Sequence, residues 1–117
     1  MKKIIKLNTE RTFEACHYIP NHKGACKNMH GHSYKVLISI AGILENEGIL
    51  VDFHDIKDVV DRFDHSTLNH VFKFPSAENL ARFFALKILR LKDTLLEVTV
   101  TVYETENCCA TATVGRE

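Results

Sequence analysis

The stretch Cys26-Lys27-Asn28-Met29-His30-Gly31-His32-Ser33-Tyr34-Lys35-Val36-Leu37-Ile38-Ser39-Ile40-Ala41-Gly42 is the point from which the rest of the chain is read. From Ser33 onward, Tyr34, Val36, Ile38 and Ile40 recur at period two among β-branched neighbours, the pattern of a half-buried strand. A thiol and two imidazoles stand at its entry. In extended backbone His30 and His32 point to the same side, and Gly31 places no side chain on the other, so both rings can approach one ion.

Upstream, Ile5, Leu7, Phe13 and Ala15 alternate with polar residues over Ile5 to Ala15, which predicts a first strand. Residues 18–31, with Pro20, Asn21, Gly24, Asn28 and Gly31, read as a loop carrying titratable groups. His17 continues the Phe13 and Ala15 face as His32 continues the Tyr34 and Val36 face. A hairpin around the loop would therefore bring His17, His30 and His32 together at one end of a sheet. Three neutral imidazoles without a fourth protein ligand describe a catalytic zinc site with a vacant position. Two other readings stay open at this point: Cys26 as a fourth ligand of a closed, inert zinc, and histidines that merely lie on the surface.

Downstream, residues 52–64 place Phe53, Ile56, Val59, Val60 and Phe63 on one helical stripe, with Asp52 as N-cap. A second helix begins after Pro75, capped by Ser76 and ending near Lys92, with Leu80, Phe83, Phe84, Ile88 and Leu91 buried. Alternation over residues 96–105 and 108–114 predicts two more strands. The order is ββααββ, an α+β fold in which a four-stranded antiparallel sheet carries two helices on one face. The other face and the β-branched edges invite pairing with further copies, so an oligomer is expected.

Composition narrows the function. The 117 residues are 45% apolar and 26% charged, enough for one core, so residues 1–117 form a single domain. Fifteen Lys+Arg balance fifteen Asp+Glu, and the resulting zero net charge argues against nucleic acid or a membrane surface as partner. The opening Met1-Lys2-Lys3-Ile4-Ile5-Lys6-Leu7-Asn8 resembles neither a signal peptide nor a spanning helix, so a cytoplasmic location is expected. Four cysteines are too few for a disulfide scaffold.

Cys26 is the candidate base or nucleophile, because a thiol beside a metal and imidazoles can carry thiolate near neutral pH. Cys16, Cys108 and Cys109 sit in strand patterns and read as small core residues. Asp64-His65 can supply a carboxylate and an imidazole to activate a thiol, or His65 can simply close a helix favoured by its dipole. Glu104 follows Val98, Val100 and Val102 on an apolar face, where a carboxylate needs donors; alternatively the strand ends at Tyr103 and Glu104 turns into solvent. His22, His54 and His70 have no partner at ligand spacing.

In order along the chain, six blocks resemble the 6-pyruvoyltetrahydropterin synthase and 6-carboxytetrahydropterin synthase family. They are Phe13-Glu14-Ala15-Cys16-His17, Cys26-x-x-x-His30-Gly31-His32, Val51-Asp52-Phe53, Leu68-Asn69 after Asp64-His65, Pro75-Ser76-Ala77-Glu78-Asn79-Leu80-Ala81, and Val102-Tyr103-Glu104-Thr105. The likeness covers almost the whole chain. It implies the tunnelling fold, in which ββααββ subunits form trimers around a twelve-stranded barrel and two trimers stack as a homohexamer. It also implies that His17, His30 and His32 hold zinc and that Cys26 accepts a proton. His65 and Glu104 would be its relay, Asp64 would support His65, and thiol and relay would come from different subunits. Glu104 would anchor the pterin ring, and Thr105 and the Ser76 to Asn79 segment would line the same pocket.

The three-residue spacer between Cys26 and His30 is similar to that of the bacterial 6-carboxytetrahydropterin synthases of queuosine biosynthesis, whereas the pyruvoyl enzymes typically have a longer one. A retained Cys26 separates the chain from folate-pathway variants, where a glutamate takes over. Ser76 departs from the usual threonine. The resemblance implies a lyase that converts 7,8-dihydroneopterin triphosphate to 6-carboxy-5,6,7,8-tetrahydropterin, releasing acetaldehyde and triphosphate. The alternatives are a 6-pyruvoyltetrahydropterin synthase of the biopterin pathway and a non-catalytic zinc-binding assembly protein.

Overall fold

The structure, a computed structural model, describes residues 3–45 and 48–116. Two long strands, β1 (Ile4–His17) and β2 (His30–Ile43), form an antiparallel hairpin whose register pairs Phe13 with Tyr34, Ala15 with His32 and His17 with His30. Both run further than alternation alone suggested, because the pairing continues through the polar and histidine-bearing ends. Helix α1 (Phe53–Asp61) is capped by the Asp52 side chain, which accepts from the His54 N–H. Helix α2 (Ala77–Leu89) is capped by Ser76, whose hydroxyl accepts from the Asn79 N–H. Each such cap stabilises a helix by about 1 kcal/mol. Strands β4 (Leu95–Thr105) and β5 (Cys108–Gly115) complete the antiparallel part of the sheet. Asn46-Glu47-Gly48 carries a turn signal between β2 and α1, and residues 46 and 47 lie outside the described residues.

The four-stranded antiparallel sheet needs one correction. A two-residue strand, β3 (Ser66–Thr67), pairs parallel with Ala15 and Cys16, giving the order β3-β1-β2-β4-β5. Two residues cannot display a period, so no alternation signals this strand. It nevertheless ties the segment after α1 to the functional end of β1.

The core lies between the sheet and the two helices. Phe13, Tyr34, Val36, Ile38, Ile40, Val98, Val100 and Val102 come from the sheet, and Ile56, Val60, Leu80, Phe84 and Ile88 from the helices. Phe13 stacks on Tyr34 with ring centroids 4.7 Å apart and meets Phe84 edge-on. The helical stripes differ at their ends. Phe53 and Leu91 are exposed, whereas Ala77, Ala81 and Ala85 are buried and bring α2 close to the sheet. Gly42 permits a close approach on β2, since a Cβ there would lie 2.7 Å from Leu50 Cδ1 and 2.9 Å from the Thr94 carbonyl oxygen. The opposite sheet face is polar, with cross-strand hydroxyl pairs Thr99–Thr113 and Thr101–Thr111.

Candidate metal centre and active site

The hairpin register sets the first part of the site. His17 and His30 face each other at its loop end and His32 lies two residues further along β2, so the ligand atoms of the three rings fall within 4.8 Å of one another. His17 is buried, at 1% exposure. Its Nδ1–H donates to the Pro75 carbonyl at 2.7 Å, with the Tyr34 hydroxyl 3.2 Å from the same nitrogen. The His30 Nδ1–H donates to the Asn28 carbonyl at 2.7 Å. Carbonyls cannot donate, so each bond fixes the tautomer and leaves Nε2 with a lone pair.

The two Nε2 atoms nevertheless lie 3.1 Å apart. Glu104 brings a carboxylate oxygen to 3.3 Å from His17 Nε2 and 3.5 Å from His32 Nε2. Burial pushes His17 and His32 below the ordinary imidazole value. Glu104 and, for His17, the Pro75 carbonyl pull the other way without reversing that direction. Burial thus favours the neutral form of His17 and His32, against which the approach of Glu104 is not an ion pair. The Nε2 atoms of His17 and His30, two acceptors that face each other without a donor between them, are satisfied by a cation. Nitrogen donors oriented by carbonyl partners form the donor set of a borderline-soft divalent ion such as zinc. The residues present fit a metal centre.

The Val98, Val100 and Val102 phase of β4 continues to Glu104, and a bulge decides its exposure. Tyr103 pairs with Cys109 and Thr105 with Cys108, so Glu104 is the extra residue with no rung of its own. Bulges of this kind occur beside active sites, where they re-aim a side chain. The side chain is 27% exposed and turned toward the histidines, which decides between the two readings left open by spacing. Thr105 is exposed just beyond it, and the Ser76 hydroxyl is engaged as the α2 cap.

Cys26 and His65 stand apart. Cys26 lies in a single 3-10 turn, Ala25–Lys27, with an exposed side chain, and its carbonyl accepts from the Ile19 N–H. Among the described residues it is not part of the metal-capable group, which contains the three histidines alone. His65 has a left-handed backbone, φ 58°, and its N–H donates to the Glu14 carbonyl. It is therefore a turn residue beyond α1 rather than a helix-terminal one. Its Nδ1 lies 3.0 Å from Asp64 Oδ2, while Asp64 Oδ1 accepts from the Glu14 N–H at 2.8 Å. The latter bond chiefly holds the Asp64 carboxyl below the ordinary aspartate range. His65 lines a groove with Glu14, Cys16 and Ser33, which alternate with the His17 face, and with Ala15 and His32 of that face.

The remaining cysteines correct an expectation. Cys108 and Cys109 are exposed at the β4–β5 turn rather than buried in a core. Cys16 is half-buried, its Sγ 3.4 Å from Thr67 Oγ1. Sequence reasoning gave no role of their own to Asn69, whose side chain bonds the Tyr18 backbone, or to the Pro75 carbonyl, which accepts from His17. Backbone acceptors leave no mark in a sequence. His22, His54 and His70 are exposed, as expected.

Residues 6–114 match the family described as 6-pyruvoyl tetrahydropterin synthase. A relative from Archaeoglobus fulgidus is 37% identical over 84 residues, which cover 68% of this chain and 72% of that protein. The 6-carboxy-5,6,7,8-tetrahydropterin synthase of Haemophilus influenzae is 33% identical over 73 residues, 59% of this chain. The aligned part spans only 52% of that bacterial relative. The structure of Caenorhabditis elegans 6-pyruvoyl tetrahydropterin synthase superposes with a TM-score of 0.71, covering 98% of this chain and 97% of that one at 24% identity. This likeness establishes the fold.

Proposed function

The chain belongs to the 6-pyruvoyl tetrahydropterin synthase family, and from that premise we propose that it is a zinc-dependent 6-carboxy-5,6,7,8-tetrahydropterin synthase. Its substrate is 7,8-dihydroneopterin triphosphate, its by-products are acetaldehyde and triphosphate, and its place is the cytoplasmic synthesis of queuosine. The carrying observation is the cluster of His17, His30 and His32, whose ligand atoms converge within 4.8 Å beside Glu104, with the lone pairs of His17 and His30 facing each other. The curated relative from Haemophilus influenzae and the three-residue Cys26 to His30 spacer support the carboxy branch.

His17, His30 and His32 would hold the ion. When bound, zinc supplies electrophilic polarisation of the substrate's side-chain hydroxyls. The other steps belong to the chain's own residues. Cys26, as thiolate, takes the side-chain proton. His65, oriented by Asp64, receives or returns that proton. Glu104, beside the histidines, accepts from the N–H groups of the pterin ring. Thr105 and the segment from Ser76 flank that ring.

Among the described residues no hydrogen bond or ion pair joins Cys26 to the Asp64–His65 pair, and His65 lines a groove with Glu14, Cys16 and Ser33, which alternate with the His17 face. We place the complete site between subunits of a homo-oligomer, a hexamer made of two trimers. β5 at one edge, and β1 beyond its two-residue pairing with β3 at the other, leave ladders open for such closure. Mass spectrometry of the product formed from dihydroneopterin triphosphate, with and without chelator, tests the proposal. It predicts the 6-carboxy product with acetaldehyde, lost on chelation. A 6-pyruvoyl product without acetaldehyde would assign the chain to the other branch, and unchanged turnover after chelation would remove zinc from the account.

A further inference from the structure

His17 closes the hairpin at a strand end, where ladder pairing stops and backbone ordinarily frays. Three observations show what holds it. The Asn69 side chain makes both bonds of a ladder rung to residue 18: its Oδ1 accepts from the Tyr18 N–H at 2.9 Å and its Nδ2 donates to the Tyr18 carbonyl at 2.9 Å. The parallel pairing of β3 with β1, from Ser66 and Thr67 to Ala15 and Cys16, is thereby carried past its last backbone rung by an amide side chain. Six residues after Asn69, the Pro75 carbonyl takes the Nδ1–H of His17. The segment between them is itself tied down at its far end, because Asn79 in the first turn of α2 donates from Nδ2 to the Phe74 carbonyl at 2.8 Å.

We infer that Asn69 and Asn79 are positioning residues for the metal centre, the two ends of a brace that sets the backbone and the ring of His17. This inference rests on the metal reading of the histidine cluster and adds a role for residues that touch no ligand atom. Asn69 fixes the strand one residue past the ligand. Asn79 fixes the carbonyl preceding Pro75, and hence the acceptor that selects the His17 tautomer. A longer or shorter side chain at 69 breaks the rung geometry, since both amide atoms must meet the N–H and the C=O of one residue. Outer partners of metal ligands typically affect metal affinity by about 10- to 100-fold.

The test is a titration of the metal-free full chain with cobalt(II) in competition with a chromophoric chelator, alongside thermal unfolding of the same metal-free samples. Asn69→Ala is expected to weaken cobalt binding by about 10- to 100-fold and to alter the ligand-field bands of the complex. Asn79→Ala, which leaves β1 untouched, is expected to weaken binding in the same direction and serves if the first variant fails to fold. Wild-type affinity and bands in the folded variants, with only the metal-free melting temperature lowered, would make both asparagines merely structural and overturn the inference. A wild-type chain that binds no cobalt would instead overturn the metal reading and the brace with it.

Discussion

His17 is 1% exposed, with its Nδ1 bonded to the Pro75 carbonyl and its Nε2 facing His30 and Glu104, whereas the His65 side chain is 80% exposed and, among the described residues, pairs with its neighbour Asp64. Cys26 is exposed as well. The metal-capable histidines are thus brought together within one chain, and the groups proposed to move protons are not. Burial explains the division. A ligand must be held neutral and rigid before the ion arrives, so it belongs at the end of a core hairpin. On the proposed reading, a relay that serves a substrate bound between chains can wait on the surface until that contact forms.

The sharpest way to break the comparison is to mutate each half separately. His32→Ala should abolish both metal binding and turnover, read by metal analysis of the purified protein and by the product assay. Cys26→Ala should retain the metal yet lower turnover by about 10²- to 10⁴-fold, the usual contribution of a positioned base. An active Cys26→Ala enzyme would refute the role, and metal loss would favour a closed four-ligand site in a non-catalytic assembly protein. Mixing subunits sharpens the contrast. If thiol and relay come from different chains, Cys26→Ala and His65→Ala subunits unfolded and refolded together should regain a measurable part of the activity that neither has alone. Mixed oligomers as inactive as their parents would put both groups in one chain.

The hairpin and the convergence of its three histidines were legible in the sequence because period two carries register. Odd positions to His17 and even positions from His32 continue two apolar faces, and one pairing joins them. Other features were hidden for definite reasons. β3 is shorter than one period. The β4–β5 bulge that leaves Glu104 without a rung depends on pairing counts, which spacing along one strand does not contain. Cys108 and Cys109 follow an alternating pattern but stand where β5 meets the turn, so the pattern does not place them in a core. The Pro75 carbonyl that orients His17 is a backbone atom, invisible to residue type.

Smaller effects test the scaffold around both halves. Ser76→Ala should cost about 1 kcal/mol of stability through the lost α2 cap, measured by urea unfolding, with the metal cluster intact. Arg11 makes a bidentate pair with Asp61 at 2.6 and 2.7 Å, and its hydrogen bond is the main cause that holds the Asp61 carboxyl below the ordinary aspartate range. A lowered carboxylate pKa contributes stability above the unfolded value, and that contribution is lost as pH falls through the folded value. Both side chains are more than a third exposed, so the effect is the smallest of this set. Arg11→Ala should therefore narrow the stability difference between neutral and acid unfolding curves, and identical curves would show the pair to be inert.

The most direct test of a metal held by three imidazoles with an open position is X-ray absorption at the zinc edge of the purified protein. The account predicts about one zinc per chain with a shell of nitrogen and oxygen alone, changing when a pterin is added. A sulfur neighbour at about 2.3 Å that persists with the pterin bound would make Cys26 a permanent ligand and contradict the account.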